Sequence, residues 1–323
     1  MNLKETLQEI NTQIDRLAYR PEPIELYEPI RYLMNLGGKR MRPLLTVLGA
    51  YLFTDDWRKA IFPAIGVEVF HNFTLMHDDI MDNAPLRRGK ATVHEKWNEN
   101  IAILSGDVML VQAYELMLAV EDKHLRSIIQ KFNICAAEVC EGQQLDMNFE
   151  NYPTVSEQTY IEMIRRKTAV LLGFSLELGG IIGGADEKNA HLLKEFGQNI
   201  GIGFQLKDDL LDVYGAAEKF GKQVGGDIIA NKKTFLLISA LEKAKGNTLN
   251  LLNEWLAKTN FDKIEKVKVI TDIYNQLNIK QLTEDKINQY FELAFQQLDQ
   301  IVAETSRKQV LGDFIQMLRE RES

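Results

Sequence analysis

The chain has 323 residues, 45% hydrophobic and 26% charged, with a formal charge of -8 and two cysteines. That balance suits a globular chain of one large or two ordinary domains, and the negative charge argues against nucleic acid as a partner. No window approaches the ~18 consecutive apolar residues of a membrane span.

The N-terminus lacks the apolar core of a signal peptide, so a cytoplasmic protein is expected. Its Leu3, Leu7, Ile10, Ile14 and Leu17 recur at four-three spacing and predict a first helix with one apolar stripe. All seven prolines lie at or before Pro153, which leaves room for long uninterrupted helices beyond it. "AIGVEVFHNFTLMHDDIMD" reads as a buried helix ending in Asp78, Asp79 and Asp82. "EDKH", with Glu121 and His124, reads as a solvated helix end. Cys135 and Cys140 suit neither a zinc knuckle nor a redox pair and are expected as small core residues.

"LGGIIGGA" follows no strand and lacks a lysine at phosphate-loop spacing, so it predicts close helix packing or a tight turn between helices. "LLKEFGQNIGIGFQLKDDLLD" reads as a second buried helix, ending in Asp208, Asp209 and Asp212. Alternating strand signals are hard to find. The expected fold is all-α, a single domain over residues 1–323.

The two aspartate clusters share one spacing. On a helix, positions i and i+4 lie about 40° apart and about 6 Å along the axis, so Asp78 and Asp82 point the same way, as do Asp208 and Asp212. Carboxylates at this spacing repel each other and oppose the dipole at a helix C-terminus. One such cluster also fits a solvated helix end. Two copies on separate buried helices call for hard divalent cations, and magnesium takes one or two carboxylates together with substrate phosphates.

Basic groups recur beside the acidic ones. "GGKRMRP" supplies Lys39, Arg40 and Arg42, and Arg87 and Arg88 follow the first cluster across Pro85. "RRKTAV" supplies Arg166, Lys167 and Thr168, and "FGKQVGGDIIANKKT" supplies Lys222, Lys232 and Lys233. Arginine grips phosphate bidentately and lysine acts as a point charge. Each pair alone also fits a solvated face; their order beside two acidic clusters points to one diphosphate held through metal and another held directly.

"GGKRMRP", "HDDIMDNAPLRRG", "EGQQLD", "KTA", "GFQLKDDLLD" and "GKQVGGDIIANKKT" occur in the order of the trans-isoprenyl diphosphate synthases, the polyprenyl synthetase family, which the sequence resembles from about residue 37 to at least residue 234. The resemblance implies one domain of long helices around a central cavity, a homodimer, and three magnesium ions per active site. Asp78, Asp79, Asp82, Asp208, Asp209 and Asp212 would bind those ions. Arg87, Lys167, Lys222 and Lys232 would hold an allylic diphosphate (dimethylallyl, geranyl or farnesyl). Lys39, Arg42, His71 and Arg88 would hold isopentenyl diphosphate, with Gly38 as a backbone contact, and Gln143 and Asp146 would be supporting polar positions. Thr168 and Gln205 would face the developing carbocation. Departed diphosphate would remove the final proton, so no protein base is required, and His77 is expected as a structural hydrogen-bonding residue.

The resemblance also implies a tunnel beside the first aspartate helix, closed by Phe73 and Phe70, with the smaller Thr74 obstructing less. A short-chain product is expected, geranylgeranyl diphosphate slightly ahead of farnesyl diphosphate. Two rivals differ in sequence. A terpene cyclase usually carries Asn, Ser or Thr and Glu in its second motif and has no use for "GGKRMRP". A di-iron bundle needs two Glu-x-x-His pairs, and only Glu121 and His124 form one.

Overall fold

The computed structural model of the chain describes residues 1–215 and 225–320, and helices form where the apolar spacing predicts them. The N-terminal stripe folds as α1 (Leu3–Asp15), whose start is capped by Asn2 and which buries Ile10 and Ile14. Leu17 falls beyond its end. There the Leu17 amide bonds only to the Ile14 carbonyl, tightening the last turn before Pro21 and Pro23. Next come α2 (Ile24–Asn35), α3 (Met41–Tyr51) and α4 (Ile61–Met81).

A two-residue hairpin, β1 (Leu86–Arg87) against β2 (Lys90–Ala91), is the sheet found among the described residues. It turns at Arg88 and Gly89, both at positive φ. Such turns usually carry Asn-Gly or Asp-Gly, which is why this one leaves no ordinary strand signal in the sequence.

Further along lie α5 (Val93–Lys96), α6 (Glu99–Met117), α7 (Asp122–Asn151), α8 (Glu157–Ile164), α9 (Val170–Gly183) and α10 (Glu187–Tyr214). After the undescribed segment come α11 (Gly226–Ile229), α12 (Phe235–Lys243), α13 (Gly246–Ala257), α14 (Lys263–Gln276), α15 (Ile279–Gln300) and α16 (Thr305–Glu320). By contact the chain divides into two compact units. The first is Met1–Ala136, Leu171–Glu195 and Gln300–Leu311; the second is Ala137–Val170, Phe196–Asp299 and Gly312–Ser323.

In the first unit α4 is the central helix. Its early turns are buried almost all round, from Ile61 through Phe70, and it packs against α3 and α6. Apart from the buried Glu68, its polar side chains gather toward its C-terminal end. The glycines of "LGGIIGGA" seat α9 against α3: a Cβ at Gly179 would lie 1.9 Å from the Thr46 carbonyl oxygen. Gly184, at φ 97°, then ends the helix, and the Ala185 amide bonds back to the Gly180 carbonyl. The segment thus combines the two roles that the sequence offered as alternatives.

In the second unit α8 does not stop at Ile164 but widens into a π-turn over Arg165–Ala169 before continuing as α9. The turn is clasped on two sides by glycines. A Cβ at Gly142 of α7 would stand 2.2 Å from the Lys167 amide nitrogen, and one at Gly201 of α10 would stand 2.5 Å from the Ala169 Cα. Only bare backbone fits at those two contacts.

Candidate active site

The first unit carries one aspartate cluster and the "GGKRMRP" loop. Asp78 is half-buried, Asp79 is buried and Asp82 is exposed at the end of α4, where its amide bonds to the Asp78 carbonyl. The hairpin turns Arg87 back onto this helix, so its Nη2 donates to Asp79 Oδ1 at 2.6 Å and its Nε reaches both carboxylate oxygens. Its neighbour Arg88 reaches toward the loop: the guanidinium lies about 3 Å from where a Cβ on Gly38 would stand.

His71 completes this basic group. Burial, then Arg42, Arg88, Arg87 and Arg40, hold its imidazole well below the ordinary histidine range, so it stays neutral. Lys39 is exposed and Arg42 half-buried. Arg40 serves the fold instead. It is buried, donating to Glu68 at 2.8 Å and to the Met34 carbonyl at 2.7 Å, and it fastens the loop to α4 and α2. His77 bonds the Ile103 carbonyl, the structural role expected of it.

Phe70 and Phe73 are both buried and belong to an aromatic cluster in this unit. Phe70 meets Phe73 at 5.6 Å between ring centres and Phe132 at 5.1 Å, while Phe132 also meets Tyr114 and Phe174. Phe132, Tyr114 and Phe174 sit far off in sequence with no spacing signal that ties them to α4. Thr74 turns its hydroxyl onto the His71 carbonyl.

The second unit carries the other cluster on the last turns of α10. Asp208 is exposed, Asp212 half-buried and Asp209 buried. Asp212 anchors the chain beyond the undescribed segment by accepting the Asp227 amide at 2.9 Å. Burial and then Asp227 push the Asp209 carboxyl up to about 7, against the opposing pull of Lys232, Tyr160 and Gln205. The π-turn delivers Lys167 to Asp146 at 2.7 Å and Thr168 to Gln205 Oε1 at 3.2 Å. Gln205 in turn donates to Asp209 Oδ1 at 3.0 Å. Gln143 is 7% exposed, and neither polar atom of its amide has a hydrogen-bond partner. Lys232 is exposed, and Lys222 lies outside the described residues.

These donors suit magnesium. Each cluster offers hard carboxylate oxygens, and the orphaned Gln143 amide awaits a polar ligand. Among the described residues no three His, Cys, Asp or Glu side chains converge as a ready-made cage. The π-turn and Tyr160, whose hydroxyl bonds Asp209, are the features that sequence reasoning missed.

An all-α chain with two aspartate clusters at helix ends and a basic, glycine-led loop has the make-up of a prenyl diphosphate synthase. The polyprenyl synthetase family model matches residues 23–275, and the chain belongs to that family and is a prenyltransferase. It is 36% identical to a geranylgeranyl pyrophosphate synthase of Geoglobus acetivorans, over 99% of this chain and 98% of that protein. A geranylgeranyl diphosphate synthase of Methanosarcina mazei is 41% identical over 75% of each. A crystal structure of a geranylgeranyl pyrophosphate synthase, 42% identical, matches with a TM-score of 0.93 and covers 100% of both chains.

Proposed function

We propose that this protein condenses isopentenyl diphosphate head-to-tail with allylic diphosphates to make geranylgeranyl diphosphate. The observation that carries this reading is the pair of aspartate clusters closing two buried helices, each with basic side chains beside it. Relatives bearing the name geranylgeranyl diphosphate synthase support the product. Asp78, Asp79 and Asp82, and Asp208, Asp209 and Asp212, hold the magnesium, three ions in all, and Gln143 is a supporting polar position for substrate. Bound magnesium supplies the charge neutralisation that lets the allylic diphosphate leave.

The chain's own groups do the rest. Arg87, Lys167, Lys222 and Lys232 hold the allylic diphosphate. Gly38, Lys39, Arg42, Arg88 and neutral His71 hold isopentenyl diphosphate, the arginines by paired hydrogen bonds. Thr168 and Gln205 turn oxygen dipoles toward the carbocation, and the fixed link between them costs no reorganisation during reaction. Phe70 and Phe73 stop the growing tail. Residues of both units act as one polyprenyl synthetase domain, since the family model spans residues of both. No helix among the described residues is long and apolar enough to cross a membrane. We place the protein in the cytoplasm, as a homodimer.

The test supplies dimethylallyl and isopentenyl diphosphates with magnesium and measures chain lengths after the phosphates are removed. A product of twenty carbons is expected. Failure to consume isopentenyl diphosphate would overturn the reading.

A further inference from the structure

The two clusters share a pattern that their spacing does not explain. In each, the second aspartate is the buried one, and protein donors hold it: the Arg87 guanidinium grips Asp79, whereas neutral donors hold Asp209. Asp209 instead accepts from the Tyr160 hydroxyl through Oδ2 and from Gln205 through Oδ1. Tyr160 lies on α8, seven residues before Lys167, and is 2% exposed. A buried phenol needs a partner, and packing alone would be met by phenylalanine.

We propose that Tyr160 is a positioning residue of the second aspartate cluster, fixing Asp209 and, through it, Gln205 and Thr168. The geometry is a run of hydrogen bonds that converges on the Asp209 carboxylate from two sides. Thr168 donates to Gln205 Oε1, Gln205 Nε2 donates to Asp209 Oδ1, and Tyr160 closes the chain at Oδ2. Two donors on opposite oxygens set the plane of the carboxylate, and that plane sets the orientation of the Gln205 amide. Each carboxylate oxygen accepts more than one bond, so both keep lone pairs for a cation or its water. With the phenol gone, the buried Oδ2 loses its donor, the carboxylate rotates, and the amide that faces the reacting carbon loses its anchor. Outer partners of metal-binding side chains act in this way.

The inference rests on the reading that this cluster binds magnesium together with diphosphate, and the experiment separates the two. Calorimetry with magnesium and inorganic diphosphate is run on the full chain, on Tyr160→Phe, on Asp209→Asn, on the double variant and on Asp208→Ala. Tyr160→Phe should weaken binding about tenfold or more, with its melting temperature close to that of the unaltered chain. In steady state its kcat should fall while its KM for isopentenyl diphosphate stays unchanged. Adding Tyr160→Phe to Asp209→Asn should weaken binding no further, because the partner is already altered. Unchanged diphosphate binding in Tyr160→Phe, additive effects in the double variant, or a general loss of stability that also raises the isopentenyl diphosphate KM would each overturn the inference. Unweakened binding by Asp208→Ala would overturn the underlying reading instead.

Discussion

Phe73 and Phe70 fill the core of the first unit, and the proposed function also makes them a tunnel floor. Both are buried, and Phe70 touches Phe132 as well as Phe73, so their removal costs stability of about 3–5 kcal/mol for each full truncation. A floor makes a further demand that a core does not. Phe73→Ala should lengthen the product beyond that of the unaltered chain, and adding Phe70→Ala should lengthen it more, as read by chromatography of the dephosphorylated alcohols. An active double variant with an unmoved product distribution would place the stop elsewhere. His71 illustrates a different constraint at this scale. It sits among arginines that keep it uncharged, so in the proposed isopentenyl diphosphate site it would act as a neutral hydrogen-bonding group while the arginines carry the charge.

Among the elements, the π-turn places the most chemistry in the fewest residues. Such turns recur at functional sites because the extra residue re-aims side chains that a regular helix would point elsewhere. Here the turn carries Lys167 and Thr168, and Gly142 and Gly201 leave room for its backbone. Gly142→Ala should cost at least about 1–3 kcal/mol by overpacking, seen as a lowered denaturant midpoint, and should depress turnover further through displaced Lys167. Unaltered stability and turnover would mean the turn has slack.

Just before the turn, Glu162 accepts from Arg165 at 2.8 Å and Arg166 at 2.6 Å. Arg165 first, with Arg166 assisting against the cost of burial, holds the Glu162 carboxyl down to about 2. A depressed carboxyl stabilises the fold fully above its unfolded value of 4.5, and that stability is lost as pH falls through about 2. The side chain is 41% exposed, so solvent screening limits the contribution to about 1 kcal/mol or less. Glu162→Gln should therefore be slightly less stable near neutral pH and match the unaltered chain near pH 2 in denaturant titrations. A gap that widens on acidification would contradict the sign.

Much at this scale was legible beforehand. Apolar spacing and proline placement predicted the long helices, and the glycines of "LGGIIGGA" predicted close helix packing or a tight turn, of which the structure has both. The aspartates were legible because like charges at i and i+4 on an apolar helix need a reason. What stayed hidden has no local signal. The π-turn depends on glycines 25 residues before Lys167 and 32 residues after Ala169. Tyr160 looks like any core aromatic until Asp209 is brought to its hydroxyl. The Arg88-Gly89 turn, the contact of Phe132 with Phe70 and that of Phe174 with Phe132 likewise arise from tertiary packing.

For the whole molecule, the central claim is that one aspartate cluster from each compact unit is indispensable to a single reaction. The family model extends over residues of both units, in keeping with that claim. Net charge is -8, yet the chemistry needs anionic substrates, so local arginine and lysine groups and bound cations must outweigh the overall field. The most direct measurement is magnesium-dependent turnover of dimethylallyl and isopentenyl diphosphates by Asp78→Ala and by Asp208→Ala, each first shown by circular dichroism to remain helical. Either variant should lose about a hundredfold or more in turnover, and excess chelator should silence the unaltered chain. Near-normal condensation by either variant, or full activity in chelator, would contradict the account.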